Sequence, residues 1–399
     1  MNFLNGIKSD ILKLNRYAII FGIFAIWNVI GFLPPIPASF YYALLSVTFI
    51  YCIVNSRKMD LSVLTLLIYI PINILITNPN PIFKSWDRYV LFALLLGCVS
   101  LLFQSEKFFR FRGSVLVILL NICIFLGAAS ALCFYLGINL MQVSLTNYQN
   151  HIGIFSGLTR HSMLLGPIAG FGTLYCYFKF TREKNKFYLI LMILCILSIL
   201  FSASRAALAG TVVGFIVLVY KQQKNMGKFI RTLMLIIVVG CATFPLWTKN
   251  LTYIISKNNG QTTEISYNSR EDKWANRISE FKEDPLFGIG FAAVSTDYER
   301  DYDTNSGIVE TGSSWLAVFS MTGIIGAVIV LSIIFRSFIG VWLCKSNLAP
   351  LLCGLLSFFF INMLAEGFIF SGGSFLCLMF WLFIGCANDL KYYNPRNSF

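Results

Sequence analysis

The residues best suited to bind a phosphate group are four arginines that stand near short glycine or serine segments: Arg160, Arg205, Arg270 and Arg277. A guanidinium presents a planar fork of donors that pairs with phosphate oxygens. Arg205 is the most informative, because apolar residues flank it on both sides and a central charge in hydrocarbon costs about 2.5–3.5 kcal/mol. We interpret it as an anion-binding residue at the mouth of a cavity. The simpler alternatives are a snorkelling arginine at position 205 and solvated charges at the other three.

Hydroxyl groups and candidate bases accompany these arginines. Ser202 and Ser204 stand beside Arg205 and can donate further hydrogen bonds to phosphate oxygens. Glu310 is a candidate general base, because the lip of an apolar cavity would desolvate its carboxylate; otherwise it is only a partner of a helix dipole. His161 is the rival base. The chain has two histidines and no clustered ligand set, so we expect neither a metal site nor another cofactor.

Part of this set lies in residues 249–312, the only long polar segment of the chain. By count from the sequence, it holds eleven of the eighteen carboxylates. A helix predicted over residues 269–282 places Arg270, Trp274 and Arg277 on one face. An apolar chain with one such polar segment is expected to carry its specific chemistry there.

The elements around this segment are membrane helices. Of 399 residues, 57% are hydrophobic and 12% are charged, with a mean hydropathy of +0.72, whereas a soluble domain has roughly 25% charged residues. The net charge of +13 does not indicate nucleic-acid binding, because Lys and Arg occur in short clusters between apolar runs. The eleven cysteines lie within or beside those runs and are interpreted as small apolar residues.

The predicted fold is an all-α polytopic membrane protein with about twelve spans and one long extracytoplasmic loop that contains short helices. The predicted spans are 17–33, 38–54, 61–77, 88–103, 114–137, 161–179, 187–203, 205–220, 229–247, 313–335, 349–369 and 373–388. The basic clusters favour cytoplasmic termini and an outer loop. The chain then divides into membrane helices 1–9 (1–247), the active-site loop (248–312), and membrane helices 10–12 with a cytoplasmic tail (313–399).

In these features the chain resembles the O-antigen polymerase and O-antigen ligase superfamily, bacterial membrane glycosyltransferases that build surface polysaccharides. The resemblance covers roughly residues 150–330. Its motifs are Gly157-Leu-Thr-Arg160-His161-Ser162, Ser202-Ala-Ser-Arg205, Arg270…Trp274…Arg277 before Asp284-Pro-Leu-Phe-Gly-Ile-Gly290, and Ser313 ten positions before Gly323-Ile-Ile-Gly326.

The resemblance implies a donor glycan activated on a polyprenyl diphosphate, at the outer face of the bacterial cytoplasmic (inner) membrane. The arginines would stabilise the diphosphate leaving group without a metal. Ser202, Ser204, Trp274 and Ser313 would complete the diphosphate and glycan site. The implied partners are the lipid-linked oligosaccharide, membrane lipid, a chain-length regulator and a flippase, and no nucleic acid.

One position departs from the ligase pattern, because Gly312 stands where the resemblance expects a histidine. The sequence therefore favours a polymerase of O-antigen, capsule or exopolysaccharide repeat units, with Glu310 as the nearest replacement base. A ligase of the same superfamily is the first alternative. The second is a transporter or flippase for a lipid-linked or anionic substrate, which would have symmetric halves with broken helices. The polar residues concentrate in one late loop, which favours the enzyme.

Overall fold

A computed structural model describes residues 16–141, 155–223 and 269–392, together with positions 227 and 230. In these ranges the regular secondary structure is almost entirely helical. The helices are α1 (Arg16–Trp27), α2 (Ala38–Asn55), α3 (Leu61–Thr77), α4 (Ser85–Val99), α5 (Glu106–Tyr135), α6 (Ser162–Glu183), α7 (Phe187–Phe201), α8 (Arg205–Gln222), α9 (Ser269–Glu283), α10 (Ser314–Leu343), α11 (Ala349–Asn362) and α12 (Phe375–Tyr392). Two short strands, β1 (Lys58–Met59) and β2 (Phe103–Gln104), pair antiparallel.

The apolar runs and the helices coincide closely. Every predicted span overlaps one helix, except 229–247, of which only position 230 is among the described residues. Among the described helices, α2, α5, α8 and α10 are long and apolar enough to cross a membrane by length and composition. The all-α membrane class is therefore confirmed, while the count of about twelve spans stays a prediction.

Long-range contacts join loops that the distribution of basic clusters places on the same side of the membrane. On the predicted inner side, β1 pairs with β2, and the carboxylate of Asp60 lies 2.7 Å from the guanidinium of Arg336. On the predicted outer side, Arg88 donates to the backbone carbonyls of Ala292 and Gly307. These contacts connect α3 with α10 at one end, and α4 with the outer loop at the other.

Helix α8 packs closely against α11, because glycines let the two backbones approach. An added Cβ at Gly214 would lie 2.6 Å from the carbonyl oxygen of Gly354, and one at Gly210 would lie 2.9 Å from that of Phe358. The residue numbers at these contacts rise along α8 as they fall along α11, so the two helices are antiparallel. Continued by one more turn, this register puts Arg205, the first residue of α8, level with Met363.

The longest apolar helix, α10, is kinked at Gly323, whose φ of 59° and ψ of −169° leave the helical region. The segment after α9 packs into this kink. Ile324 N donates to Pro285 O, and Ile289 N donates to Ser320 O, both at 2.8 Å. The Asp284–Gly290 motif and the Gly323 motif are therefore two halves of one backbone junction.

Helix α3 holds the same junction from its other side. The hydroxyl of Tyr69 donates to Thr322 O at 2.6 Å. The fully buried Asn73 donates to Phe287 O at 2.6 Å and accepts from Phe291 N at 2.9 Å. One amide side chain therefore satisfies two backbone groups of a segment that lies outside the helices.

The kink also divides α10 into two parts with different surroundings. All of its exposed large apolar residues follow Gly323, beginning with Ile324 and Ile325 and ending with Leu343. Roughly 20 residues of helix cover the ~30 Å thickness of hydrocarbon. The part beyond the kink can therefore cross the membrane by itself, and the first turns of α10 belong with the outer loop.

Candidate functional site

The polar helix α9 lies alongside the first turns of α10 and runs parallel to them. Trp274 Nε1 donates to Gly312 O at 3.2 Å, and the rings of Phe281 and Phe319 meet edge to face with centroids 5.6 Å apart. The helix predicted over 269–282 is observed as Ser269–Glu283. Its Trp274 contacts the entry to α10 through the backbone carbonyl of Gly312.

Arg277 is buried in an ion cluster and is not presented to a substrate. Its Nη2 lies 2.6 Å from Glu280 Oε1 and 2.8 Å from Asp301 Oδ2, and its side chain is fully buried. Nε and Nη1 of Arg277 lack hydrogen-bond partners. One cation is thus enclosed with two carboxylates, which would repel an approaching diphosphate. We assign Arg277 to positioning the loop.

Glu280 is the most perturbed acid of this cluster. Burial raises the pKa of Glu280 to about 7, although Arg277 opposes the change. Burial also lowers the pKa of Arg277. Glu280 Oε1 accepts a hydrogen bond from Ser295 N at 2.8 Å, so this carboxyl group ties α9 to the loop that follows it.

Glu310 occupies an exposed position instead of the apolar lip that we expected. Its Oε2 lies 2.7 Å from Lys273 Nζ, and its side chain is 68% exposed. Glu310 N donates to Asp301 O at 2.8 Å, which links this residue to the Arg277 cluster. The Glu310 carboxylate is therefore not desolvated, although we expected desolvation of a base at an apolar lip. It is instead open to an acceptor from the outer solvent.

Gly312 and Ser313 form the start of α10. Gly312 has a φ of +70°, and an added Cβ would lie 3.0 Å from Lys273 Cβ. Ser313 caps the helix, because its Oγ accepts from Leu316 N at 3.4 Å and donates to Met363 O at 3.2 Å. Ser313 is 98% buried by these contacts, so it shapes the site more than it contacts a ligand.

The Ser202–Arg205 motif forms the corner between α7 and α8. Ser204 caps α8 by accepting from Ala207 N at 3.4 Å, and Ala203 adopts a left-handed φ of 52° to turn the chain. Ser202 is buried, and its hydroxyl donates to Ile199 O at 2.8 Å. The side chain of Arg205 is exposed. Of the three predicted ligands at this corner, Arg205 is the one that faces outward.

His161 caps α6 beside this corner. Its Nδ1 accepts from Met163 N at 3.2 Å, which leaves the proton of the neutral ring on Nε2. An added Cβ at Gly166 would lie 2.7 Å from Ser204 Cβ, so the start of α6 packs against the α7–α8 corner. In this arrangement the Nδ1 nitrogen of His161 is engaged by the backbone of α6.

Arg160, the neighbour of His161, is anchored to the connection between α1 and α2. Its Nε and Nη2 donate to Ile30 O at 3.3 Å and Leu33 O at 2.9 Å. The guanidinium is half-buried and keeps further N–H groups.

The predicted residues therefore fall into two groups around the start of α10. The corner group contains Arg160, His161, Ser202, Ser204 and Arg205. The loop group contains Trp274, Arg277 and Glu310, with Lys273, Glu280 and Asp301. Ser313 lies between them, because it binds the Met363 carbonyl that is level with Arg205. The side chain of Arg270 lies outside the described residues.

Asn73 and Glu280 are polar residues that the sequence analysis did not select. An asparagine in the middle of a predicted span is a detectable signal, since a polar side chain there needs a partner. Glu280 gives no such signal, because it stands among other charges of a polar helix. Only packing distinguishes it from them.

Comparison with known families supports this assembly of motifs. A family model described as O-Antigen ligase matches residues 190–331, from α7 to the kinked helix α10. Over these residues the chain is similar to O-antigen ligases, which supports its resemblance to the O-antigen polymerase and ligase superfamily. The match contains the α7–α8 corner and the loop group, whereas Arg160 and His161 precede it. No curated protein matches the sequence.

Proposed function

We propose that this protein is a polymerase of the O-antigen polymerase and ligase superfamily, which joins oligosaccharide repeat units carried on polyprenyl diphosphate at the outer face of the cytoplasmic membrane. The observation that carries the choice of polymerase over ligase is Gly312. The ligase pattern has a histidine at this position. Here the backbone has a left-handed φ, and Lys273 packs where a side chain would begin. The site is therefore built around a glycine and has no imidazole at that point.

In the proposed reaction, the acceptor hydroxyl attacks the anomeric carbon of the donor while the bond to the diphosphate breaks. The exposed carboxylate of Glu310 takes the hydroxyl proton. The carrier diphosphate leaves with its negative charge stabilised by Arg205 and by the remaining N–H groups of Arg160. His161 adds an Nε2–H donor to the same oxygens. Arg277 holds the loop against α10, and Arg270 is a further candidate contact.

Both termini face the cytoplasm, about twelve helices span the membrane, and residues 248–312 lie outside between membrane regions 1–247 and 313–399. The reaction needs neither a metal nor a cofactor. A flippase supplies the substrate, and a chain-length regulator is the expected protein partner.

Deletion of the protein tests the reaction class. A polymerase-deficient cell should carry surface glycans of a single repeat unit, and Glu310→Gln should give the same pattern with normal protein in the membrane. The result that contradicts the proposal is a deletion strain in which long chains accumulate on the lipid carrier. That outcome would identify the ligase, the second candidate, which the description of the matching family model favours.

The diphosphate role of Arg205 has its own test. Lysine keeps the charge but loses the bidentate fork, so Arg205→Lys should lower polymer synthesis about 100-fold, the size of effect seen when one donor to a developing charge is removed. Arg110→Lys is the matched control, because Arg110 is an exposed arginine paired with Glu106 on the predicted inner side. Equal synthesis in both variants at equal protein levels would remove Arg205 from the site.

A further inference from the structure

A cavity of about 240 Å³ lies beside the start of α10. No residue of the corner group or of the loop group lines it. Its walls come from α4, from the outer loop, from the first turns of α10 and from the connection between α11 and α12. Thr311, which directly follows Glu310, forms part of its lining, and small residues such as Ala292, Gly367 and Gly373 keep it open. The walls at α4, the loop and the connection belong to segments that the charge alternation places outside.

A buried hydroxyl without a partner lies in this lining. Thr311 is 95% buried, and its Oγ1 has no hydrogen-bond partner. An added Cβ at Gly367 would lie 1.7 Å from this oxygen, so the hydroxyl occupies the space that the glycine provides. Leaving a buried polar atom unpaired destabilises a protein. Rotation of the Thr311 side chain away from Gly367 would turn this hydroxyl towards a ligand in the cavity.

The cavity also contains an uncompensated positive charge. Arg88 lies in the lining and is partly buried. It donates through Nη1 to Ala292 O at 3.2 Å and through Nη2 to Gly307 O at 2.5 Å. Within the described part of the chain it forms no salt bridge with a carboxylate. Carbonyl oxygens orient a guanidinium but do not neutralise it, so the cavity favours an anionic group.

The size and the remaining wall favour a sugar ring over a longer glycan. A water molecule occupies about 30 Å³ of liquid, so the cavity holds about eight waters, which is the scale of one pyranose ring. Phe370 lines the wall and offers an apolar surface to the C–H face of such a ring.

We propose that this cavity binds one sugar ring that carries an acidic group, with Arg88 pairing to the acid and Thr311 bonding to a ring hydroxyl. The ring belongs to the acceptor glycan, because Thr311 adjoins Glu310, the proposed base. This inference rests on the proposed function for its role, but the binding itself is independent of turnover. The same anionic chemistry could come from a diphosphate, which the experiment distinguishes.

The test measures binding of three probes to the purified full-length protein in detergent: glucuronate, glucose and pyrophosphate. Saturation-transfer NMR titrations give the dissociation constants of the two sugars, and pyrophosphate, which has no C–H protons, is tested by competition against glucuronate. Glucuronate should bind at least tenfold more tightly than glucose. Thr311→Val should weaken glucuronate binding about tenfold, equivalent to about 1.4 kcal/mol, without lowering the unfolding temperature, because the lost hydroxyl has no partner in the free protein. Arg88→Lys should weaken glucuronate binding more than glucose binding, while Arg110→Lys should change neither.

Three results would overturn the inference. One is equal affinity for glucuronate and glucose, and another is unchanged glucuronate binding in Thr311→Val. The third is displacement of glucuronate by pyrophosphate in a manner that depends on Arg88, which would make the cavity a diphosphate site. Failure of the polymerase proposal would show itself separately, in the surface glycans of the deletion strain and not in these titrations.

Discussion

Gly323→Ala should undock the outer loop from the kink of α10. At φ 59° and ψ −169°, Gly323 occupies a backbone region essentially restricted to glycine, where alanine costs about 1–3 kcal/mol. Its Cβ would lie 2.1 Å from Leu286 O, so the two backbones must separate at an overpacking cost of about 1–3 kcal/mol. Separation also weakens the hydrogen bonds donated by Ile289 N and Ile324 N, each worth about 1 kcal/mol. The whole effect is on the order of 5 kcal/mol.

Gly137→Ala is the matched control for this change. Gly137 has a similar φ of +70°, but an added Cβ there meets nothing within 4 Å. It therefore carries only the conformational cost of about 1 kcal/mol. The difference between the two variants isolates the contact with the Asp284–Gly290 segment.

Hydrogen exchange followed by mass spectrometry reads the outcome directly. Peptides that contain the Ile289 and Ile324 amides should exchange at least 100-fold faster in Gly323→Ala than in Gly137→Ala, since 1.36 kcal/mol corresponds to tenfold. Polymer synthesis should fall in parallel, because α9 and Glu310 depend on this junction. Wild-type exchange of both amides in Gly323→Ala would refute the reasoning.

Three further predictions concern charge, topology and packing. Burial raises the pKa of Glu280 to about 7 from its ordinary 4.5, so the folded protein retains a proton there that the unfolded chain loses, and this contribution to stability declines as the pH rises from about 4.5 to 7. In Glu280→Gln the unfolding temperature should therefore depend less on pH over that range. The same pH dependence in the variant and the wild type would assign it to another group. Thr304→Cys should react with an impermeant maleimide in intact cells while Glu183→Cys should not, and the reverse pattern would invert the topology. Arg112 is paired with the buried Asp389 at 2.6 Å, so Arg112→Met leaves that carboxylate without this partner and should destabilise the protein by about 3–5 kcal/mol. Addition of Asp389→Leu should restore much of the lost stability, as measured by thermal unfolding in detergent. An unchanged unfolding temperature in Arg112→Met would show that the pair contributes nothing.

The sequence by itself determined where the helices form and which segments carry polar chemistry. Each apolar run of sufficient length in the described residues overlaps one helix, with ends that differ by up to eight residues. Burying a backbone in an apolar medium requires internal hydrogen bonds, which a helix supplies. Helix α9 was equally predictable, since Ser269–Glu283 has strong helix formers and stops before Asp284-Pro285. The ordered motifs from Ser202 to Gly326 were sufficient to indicate the superfamily.

Only the tertiary structure decided what the individual charges do. Arg277 and Glu310 both stand in a polar loop, yet one is fully buried between carboxylates and the other is exposed beside Lys273. Arg88 and Thr311 share a cavity although more than two hundred residues separate them in the chain. Local sequence sets hydrophobicity and helix ends, because those depend on near neighbours. The burial of a charge and the identity of its partner depend on which distant segments pack together, and no local pattern specifies that packing.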